Sequence, residues 1–219
     1  MTAVTFDCRD PDGRRAGLAA AVRAVRYGEV VVLPTDTVYG IGVDAFTPAA
    51  VDALLAAKRR GRDMPVPVLV GSWATLDGLV DLLPPEADRL RRAFWPGGLT
   101  LVVRHAASLA WDLGDAHGTV AVRMPLHPVA VKLLQRTGPM AVSSANVSGS
   151  PPAASAEEAR RQLGEDVAVY LDAGPSGDPV ASTIVDCTVN PPRVLRAGAV
   201  SVDELRTELP DIELPDLPS

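Results

Sequence analysis

The spacing of apolar residues along the chain predicts helices that alternate with short strands. From about Arg14 to Tyr27, apolar residues recur at helical intervals, and Gly28 follows as a C-terminal stop signal. A continuous apolar run then extends from Val30 to Leu33 and ends at Pro34, as expected for a strand buried on both faces. A helix followed by an interior strand is typical of α/β proteins.

The same periodicities continue along the rest of the chain, and several predicted strands follow one another with only a loop between them. Further strands are predicted at Gly40–Ala45, Val66–Val70, Leu99–Val103, Thr119–Arg123, Met140–Ser143, Val167–Leu171, Thr183–Asp186 and Val194–Arg196. Further helices are predicted from the Thr47 N-cap to about Arg60, and at Ser72–Val80, Glu86–Phe94, Pro128–Gln135, Ala156–Leu163 and Val202–Leu209. Ser-x-x-Glu capping boxes are expected at Ser155 and Ser201. We therefore predict one α/β domain with a mixed, twisted sheet over residues 1–209, and a flexible, proline-containing acidic tail over 210–219.

Composition and charge narrow the functional classes. The 219 residues are enough for one well-buried domain, and a content of 47% hydrophobic and 22% charged residues argues against disorder. A net charge of −6 does not favour tight, salt-sensitive binding of nucleic acid. Cys8 and Cys187 form no CxxC motif, and the sequence shows no metal-ligand spacing, signal peptide or transmembrane-length apolar window. We expect a soluble protein of the reducing cytoplasm.

Two polar loops are candidates for ligand binding. The segment Pro34–Gly40 follows a buried strand, where open α/β sheets bind ligands, although a turn that caps backbone groups is an alternative. Ser143–Asn146 also follows an apolar strand and could donate hydrogen bonds to a phosphate or nucleoside, or simply connect two elements. Gly40–Ala45 matches GxGxxA, but the next helix starts too late for a dinucleotide fold, and no phosphate-binding P-loop motif occurs.

A cationic group, Lys58, Arg60 and Arg62, lies at the C-terminal end of a predicted helix. One interpretation is a favourable interaction with the helix dipole. The other is neutralisation of a polyphosphate leaving group. We expect these side chains to be exposed, so that replacing Lys58 would barely change stability.

Taken in order along the chain, the motifs define a specific family. They are PTDTVYGIG from Pro34, Lys58-x-Arg60, FWPGGLTLV from Phe94, TVAVRMPLHP from Thr119, SSAN from Ser143, STIVD from Ser182 and RAG from Arg196. This set resembles the YrdC-type threonylcarbamoyl-AMP synthases from roughly Ala16 to Leu209, in their short, single-domain form. The resemblance implies a twisted open sheet with flanking helices around a concave, locally positive cavity.

The resemblance also implies an activity and its partners. Members of the family bind L-threonine and Mg-ATP side by side. The threonine amine takes up carbon dioxide from bicarbonate, and the carbamate attacks the α-phosphorus and expels pyrophosphate. A separate transferase then modifies the tRNA adenosine beside the anticodon. Mg²⁺ is expected to arrive with ATP, direct tRNA binding would be weak, and no membrane is involved.

Site residues carried over from the family fall into two groups. The expected threonine contacts are Thr35, Arg123 and Ser182. The expected ATP contacts are Lys58, Arg60, Thr119, Ser144, Asn146 and Arg196, with Lys58 and Arg60 also acting in catalysis. From the sequence, Arg123 has few local polar partners, so a ligand carboxylate is its expected counter-ion. The alternatives are a solvated arginine at the strand end and a structural ion pair with one of the chain's acidic residues.

One departure from the family leaves an alternative open. The family has a short K-x-R-P-x-x-x-P-L stretch, whereas this chain reads Lys58 to Val68 with two extra residues. Either Lys58-x-Arg60 or Arg60-x-Arg62 is the phosphate-binding pair; spacing from Thr35 favours the first, and Arg62 stays a candidate. Two rival functions remain: a non-catalytic RNA-binding or ribosome-maturation module, and a carbamoyl-transfer fragment of the hydrogenase-maturation type.

Overall fold

Prolines and polar caps fix the helix starts that are seen in the computed structural model, which describes residues 2–177 and 179–214. Asp10 accepts a hydrogen bond from the Gly13 amide, so the first helix starts at Pro11, three residues before the predicted start. The Thr47 hydroxyl does not cap its helix as expected, because it donates to Asp44 instead. Ser201 forms a complete capping box, whereas the Ser155 box is only half formed.

The described residues contain seven α-helices and ten strands. The helices are α1 Pro11–Arg26, α2 Pro48–Lys58, α3 Trp73–Asp77, α4 Pro85–Phe94, α5 Pro128–Thr137, α6 Ala156–Leu163 and α7 Val202–Glu208. The strands are β1 Val4–Asp7, β2 Val31–Leu33, β3 Gly40–Asp44, β4 Val68–Leu69, β5 Leu99–Arg104, β6 Thr119–Arg123, β7 Met140–Ser144, β8 Val169–Asp172, β9 Thr183–Asp186 and β10 Arg193–Arg196. All nine strands predicted from the sequence are present, and β1 is the strand that the sequence analysis missed.

All ten strands of the described chain join one mixed sheet in the order β1-β8-β2-β3-β7-β4-β6-β5-β9-β10. Four neighbouring pairs are parallel (β1 with β8, β2 with β8, β4 with β6, β5 with β9), and the other five, such as β3 with β7 and β5 with β6, are antiparallel. The predicted single α/β domain with a mixed sheet and flanking helices is confirmed. No helix in the described part of the chain is long and apolar enough to cross a membrane.

Two apolar clusters pack against the sheet and leave part of one face to polar residues. The larger cluster contains Leu54 of α2, Leu90 of α4 and Leu101 of β5. The smaller one lies on the other face, contains residues of α1 and α5, and reaches only as far as Leu69 of β4. On strands β6, β5, β9 and β10, this face of the sheet carries no part of the smaller cluster. It is therefore available for a site.

Part of the predicted tail is packed against the domain. Ile212 is buried, and Glu213 pairs with Arg193 at the free edge of β10. The Val194 amide donates to the Glu213 carbonyl at 2.8 Å. Residues 212 and 213, which the sequence analysis assigned to a flexible tail, thus contact the domain through an apolar side chain and edge hydrogen bonds. Residues 215–219 lie outside the described residues.

Candidate active site

The side chains of β5 and β6 alternate between the core and the polar face. Val120 and Val122 join the larger cluster, so Thr119 and Arg123 point to the opposite side. The same alternation places Thr100 and Arg104 of β5 on that side. This polar face forms the floor of the candidate site.

Arg123 is buried at one end of this floor and is held by oxygen atoms from two other segments. Its Nε donates to the Gly97 carbonyl at 2.8 Å, and its Nη1 donates to the Thr37 hydroxyl at 2.8 Å. Its Nη2 lies 2.8 Å from Asp36 Oδ1, in an ion pair that is not aligned as a hydrogen bond. Burial lowers the pKa of Arg123, and Asp36 acts in the opposite direction. The partners of Arg123 come from residues distant in sequence, and the ion pair with Asp36 matches the structural alternative to a ligand carboxylate.

The loop after β2 supplies two of these partners and is itself strongly ordered. The Thr35 hydroxyl lies 3.0 Å from the Thr37 hydroxyl and donates to the Val38 carbonyl at 2.6 Å. Asp36 also accepts a hydrogen bond from the Leu126 amide at 2.9 Å. Thr35 is thus connected to Arg123 through Thr37, and its hydroxyl is turned towards the loop's own backbone.

A cleft of about 180 Å³ opens beside this loop. Its walls are residues 34–37, Tyr39, His127 and the loop 173–177. Tyr39 ties the two loops together, because its hydroxyl donates to the Gly174 carbonyl at 2.5 Å and accepts from the Ala173 amide at 3.0 Å. The cleft is smaller than the roughly 300–1,000 Å³ of pockets for drug-sized ligands, so it suits a small metabolite.

Ser182 and Arg196 meet at the Arg123 end of the floor. Arg196 donates from Nε and Nη2 to the Ser182 carbonyl at 3.0 and 2.7 Å. The Ser182 hydroxyl lies 2.8 Å from that of Thr100. Burial lowers the pKa of Arg196, and the nearby charge of Arg123 lowers it further. The structure therefore groups Arg196 with the predicted threonine contacts and not with the other predicted ATP contacts.

A glycine makes the approach of Arg196 to Ser182 possible. A Cβ atom on Gly198 would lie 2.2 Å from the Ala181 carbonyl oxygen and 2.7 Å from the Ser182 carbonyl carbon. Neither contact is tolerable for a real side chain, so the RAG motif needs glycine at its third position.

Lys58 organises a second group at the end of β7. Its Nζ donates to the carbonyls of Ser144 and Asn146, the latter at 2.8 Å, and its side chain is only 2% exposed. Asn146 in turn donates from Nδ2 to the carbonyls of Val147 and Ser150, which fixes the loop. Burial, with a smaller effect from Arg60, lowers the pKa of Lys58 to about 8. The expectation of an exposed lysine is wrong, because the loop after β7 closes over the helix end.

Arg60 and Arg62 point to different surroundings. Arg60 donates to the Ser143 hydroxyl at 3.1 Å, and its buried Nε has no partner within the described residues. Arg62 pairs with Asp52 at 2.6 Å and also with Asp112. The structure thus brings Lys58 and Arg60 together at the end of β7 and engages Arg62 with two surface carboxylates.

Strand register places the two groups at opposite ends of β6. Thr119, whose hydroxyl donates to the Ala116 carbonyl, begins the strand, and Arg123 ends it. The register through β4 puts Ser144 at the Thr119 end. Thr119 and Arg123 are four positions apart on β6, which corresponds to about 13 Å. The Lys58 group therefore lies towards the Thr119 end, and the Arg196 group towards the Arg123 end.

Three residues of the site were missed from the sequence: Asp36, Thr37 and His127. The signal for the first two was the polar run after a buried strand, of which only Thr35 was chosen. The sequence does not show that Asp36 pairs with Arg123. His127 begins α5 as its N-cap, and nothing in its local sequence shows that it lines a cleft.

These features define an open-sheet α/β protein with two cationic subsites near opposite ends of β6. The family model Sua5/YciO/YrdC, described as "Telomere recombination", matches residues 23–198. A Mycobacterium tuberculosis protein, provisionally named a threonylcarbamoyl-AMP synthase, is 65% identical over 201 residues, covering 92% of this chain and 93% of that protein. The Bacillus subtilis threonylcarbamoyl-AMP synthase is 36% identical, covering 90% of this chain and 58% of its own. The chain belongs to the Sua5/YciO/YrdC family.

Solved structures agree with this assignment. Pyrococcus abyssi Sua5 complexed with L-threonine superposes with a TM-score of 0.89 at 32% identity, over 98% of this chain and 63% of that one. Escherichia coli YciO superposes with a TM-score of 0.79 at 25% identity, over 93% and 98%. The chain thus spans about two thirds of the archaeal Sua5 and nearly all of YciO.

Proposed function

We propose that this chain makes L-threonylcarbamoyl-AMP from L-threonine, bicarbonate and ATP. The threonine amine forms a bond to carbon dioxide and loses a proton, which gives a carbamate. A carbamate oxygen then bonds to the α-phosphorus of ATP as the bond to the β-phosphate oxygen breaks, and pyrophosphate leaves. The product would be consumed by a separate transferase in threonylcarbamoyl modification of tRNA.

The observation that carries this proposal is the pair of cationic subsites near opposite ends of β6. Arg123, which is buried, and Arg196, which is more exposed, lie at one end, and Lys58 and Arg60 lie near the other. A reaction that joins an amino acid to a nucleotide needs two anionic ligands held side by side, and positioning of this kind can supply much of the rate acceleration. Relatives that carry the synthase name support the same conclusion.

The residues suggest a division of roles. Arg123, with Thr35 and Ser182 nearby, would bind the amino acid at the small cleft. Arg60, which keeps an unpartnered Nε, would contact the phosphates, while Lys58 would hold the loop that carries Ser144 and add its charge.

Thr119, Asn146 and Arg196 would complete the nucleotide site. Arg196 could reach it from the amino-acid side of the floor, where it would lie near the reacting phosphate.

We propose that Mg²⁺ arrives with ATP. The described residues contain no group of three or more His, Cys, Asp and Glu side chains that could hold a metal ion. Mg²⁺ commonly binds through substrate phosphates with few protein ligands, so these residues are compatible with an ion delivered by the nucleotide. The expected location is the cytoplasm, where both the nucleotide and tRNA are found.

The test is an assay of pyrophosphate release from Mg-ATP with threonine and bicarbonate each present or omitted. We expect release only when both are present. Release of ADP and phosphate, or release without threonine, would contradict the proposal. No turnover with intact ATP binding would instead favour a binding module. Turnover of carbamoyl phosphate would favour the hydrogenase-maturation type.

A further inference from the structure

We propose that His127 binds the α-carboxylate of the amino-acid substrate, donating a hydrogen bond from Nε2 beside Arg123. This inference rests on the proposed function, since it assumes that an amino acid occupies the cleft. His127 lines that cleft together with Thr35, Asp36 and Thr37.

The backbone of α5 fixes the tautomer of this ring. The Val129 amide donates to Nδ1 of His127 at 3.2 Å, so Nδ1 must be the acceptor and Nε2 must carry the proton. Within the described part of the chain, Nε2 has no hydrogen-bond partner. Burial lowers the pKa of His127, against an opposing effect of Asp36, so the ring is neutral at pH 7. His127 is thus a fixed donor and cannot accept a proton at Nε2 as a base.

Arg123 contacts the lining residues Thr37 and Asp36 but does not itself line the cleft, so a carboxylate there needs a donor on the cleft wall as well. The Nε of Arg123 donates to the Gly97 carbonyl and its Nη1 to the Thr37 hydroxyl, while its Nη2 lies against Asp36 without the alignment of a hydrogen bond. Asp36 also offsets the arginine's charge, so an incoming carboxylate meets a guanidinium that is partly neutralised. A neutral donor on the neighbouring wall supplies a hydrogen bond without adding a second buried charge.

Because His127 is the N-cap of α5, its effect on helix stability can be separated from its effect on ligand binding. Serine is a strong N-cap, so His127→Ser keeps an acceptor for the first amides of α5 and removes the donor to the cleft. His127→Ala removes both. His105→Ser is the matched control, because that ring also contacts the backbone through Nδ1 but packs against Trp111, outside the cleft.

Calorimetric titration with L-threonine, and separately with ATP, tests the proposal. We expect His127→Ser to melt no lower than the wild type, to bind threonine at least tenfold more weakly, and to bind ATP within twofold of the wild type. His127→Ala should lose threonine affinity to the same extent and also melt at a lower temperature. Threonine amide, which lacks the carboxylate, should bind the wild type weakly and be insensitive to His127→Ser.

Three outcomes would overturn the inference. Wild-type threonine affinity in His127→Ser would leave His127 as a helix cap only. An equal loss of ATP affinity, or a comparable loss of threonine affinity in His105→Ser, would indicate general damage. If the wild type itself bound no threonine, the proposed function would fail as well, and that result is distinct from the first two.

Discussion

Replacing Lys58 by methionine tests the burial of its ammonium group through the pH dependence of stability. The pKa of this lysine falls from 10.5 to about 8 in the folded chain, chiefly because the group is buried. The unfolded chain therefore holds the proton more tightly than the folded one between these values. The charged lysine costs stability below pH 8, and that cost is relieved as the pH rises from 8 towards 10.5.

The size of the effect follows from the two pKa values. The difference between 10.5 and about 8 corresponds to roughly 3 kcal/mol in full, at about 1.4 kcal/mol per pKa unit. Between pH 7 and 9.5 the wild type should regain about 2 kcal/mol of the stability that burial of the charged lysine costs. Methionine has no titrating group. It leaves the carbonyls of Ser144 and Asn146 without their donor, and the resulting loss of stability is the same at both pH values.

Urea unfolding of both proteins, followed by tryptophan fluorescence at pH 7 and 9.5, measures this shift. We expect the stability of the wild type relative to Lys58→Met to rise by about 2 kcal/mol. Burial also raises the pKa values of Cys187 and Tyr170, but both proteins share these groups and their effects cancel in the difference. A difference that stays constant, or that moves the other way, would refute the account of Lys58 as a buried charge.

Three further substitutions test the site. Arg60→Ala should lower pyrophosphate release by roughly 10²-fold, the loss expected for one preorganised electrostatic group, and Arg62→Ala should lower it far less; the reverse order would make Arg60-x-Arg62 the phosphate pair. Arg123→Lys should weaken threonine binding by about 1.5–3 kcal/mol in calorimetry and leave ATP binding unchanged, because lysine lacks the planar fork; an equal loss for ATP would contradict this role. Gly198→Ala should lower the free energy of unfolding by about 1–3 kcal/mol in urea, because its Cβ would displace the Ser182 backbone; unchanged stability would show that the approach is loose.

Local patterns were sufficient to predict most of the fold. Long apolar runs such as Val30–Leu33 and glycine or proline boundaries located nine strands and all seven helices to within a few residues. The first strand, Val4–Asp7, was missed because it lies at the sheet edge, is largely exposed and has no clear alternation. The packing of Ile212 was missed because a proline-containing acidic segment gives no local sign of the edge that it joins.

The site was predicted less completely, and the reason is physical. Motif order identified Arg123 and Lys58, but their surroundings depend on loops that are distant in sequence. Asp36 pairs with Arg123 only because the loop after β2 crosses to the end of β6. Lys58 is buried only because the loop containing Asn146 covers it. Spacing along one element cannot show such contacts.

The contacts that build the site also constrain how the chain acquires it. Thr37 and Arg123 are 86 residues apart, Lys58 and Asn146 are 88 apart, and Thr100 and Ser182 are 82 apart. Contacts of such long range stabilise the chain only after large loops have closed, and closing these loops costs entropy, so the contacts form late. A growing chain on the ribosome would complete neither subsite before Asn146 and Ser182 had emerged. A ligand that needs both subsites can therefore stabilise the finished fold but cannot guide its early steps.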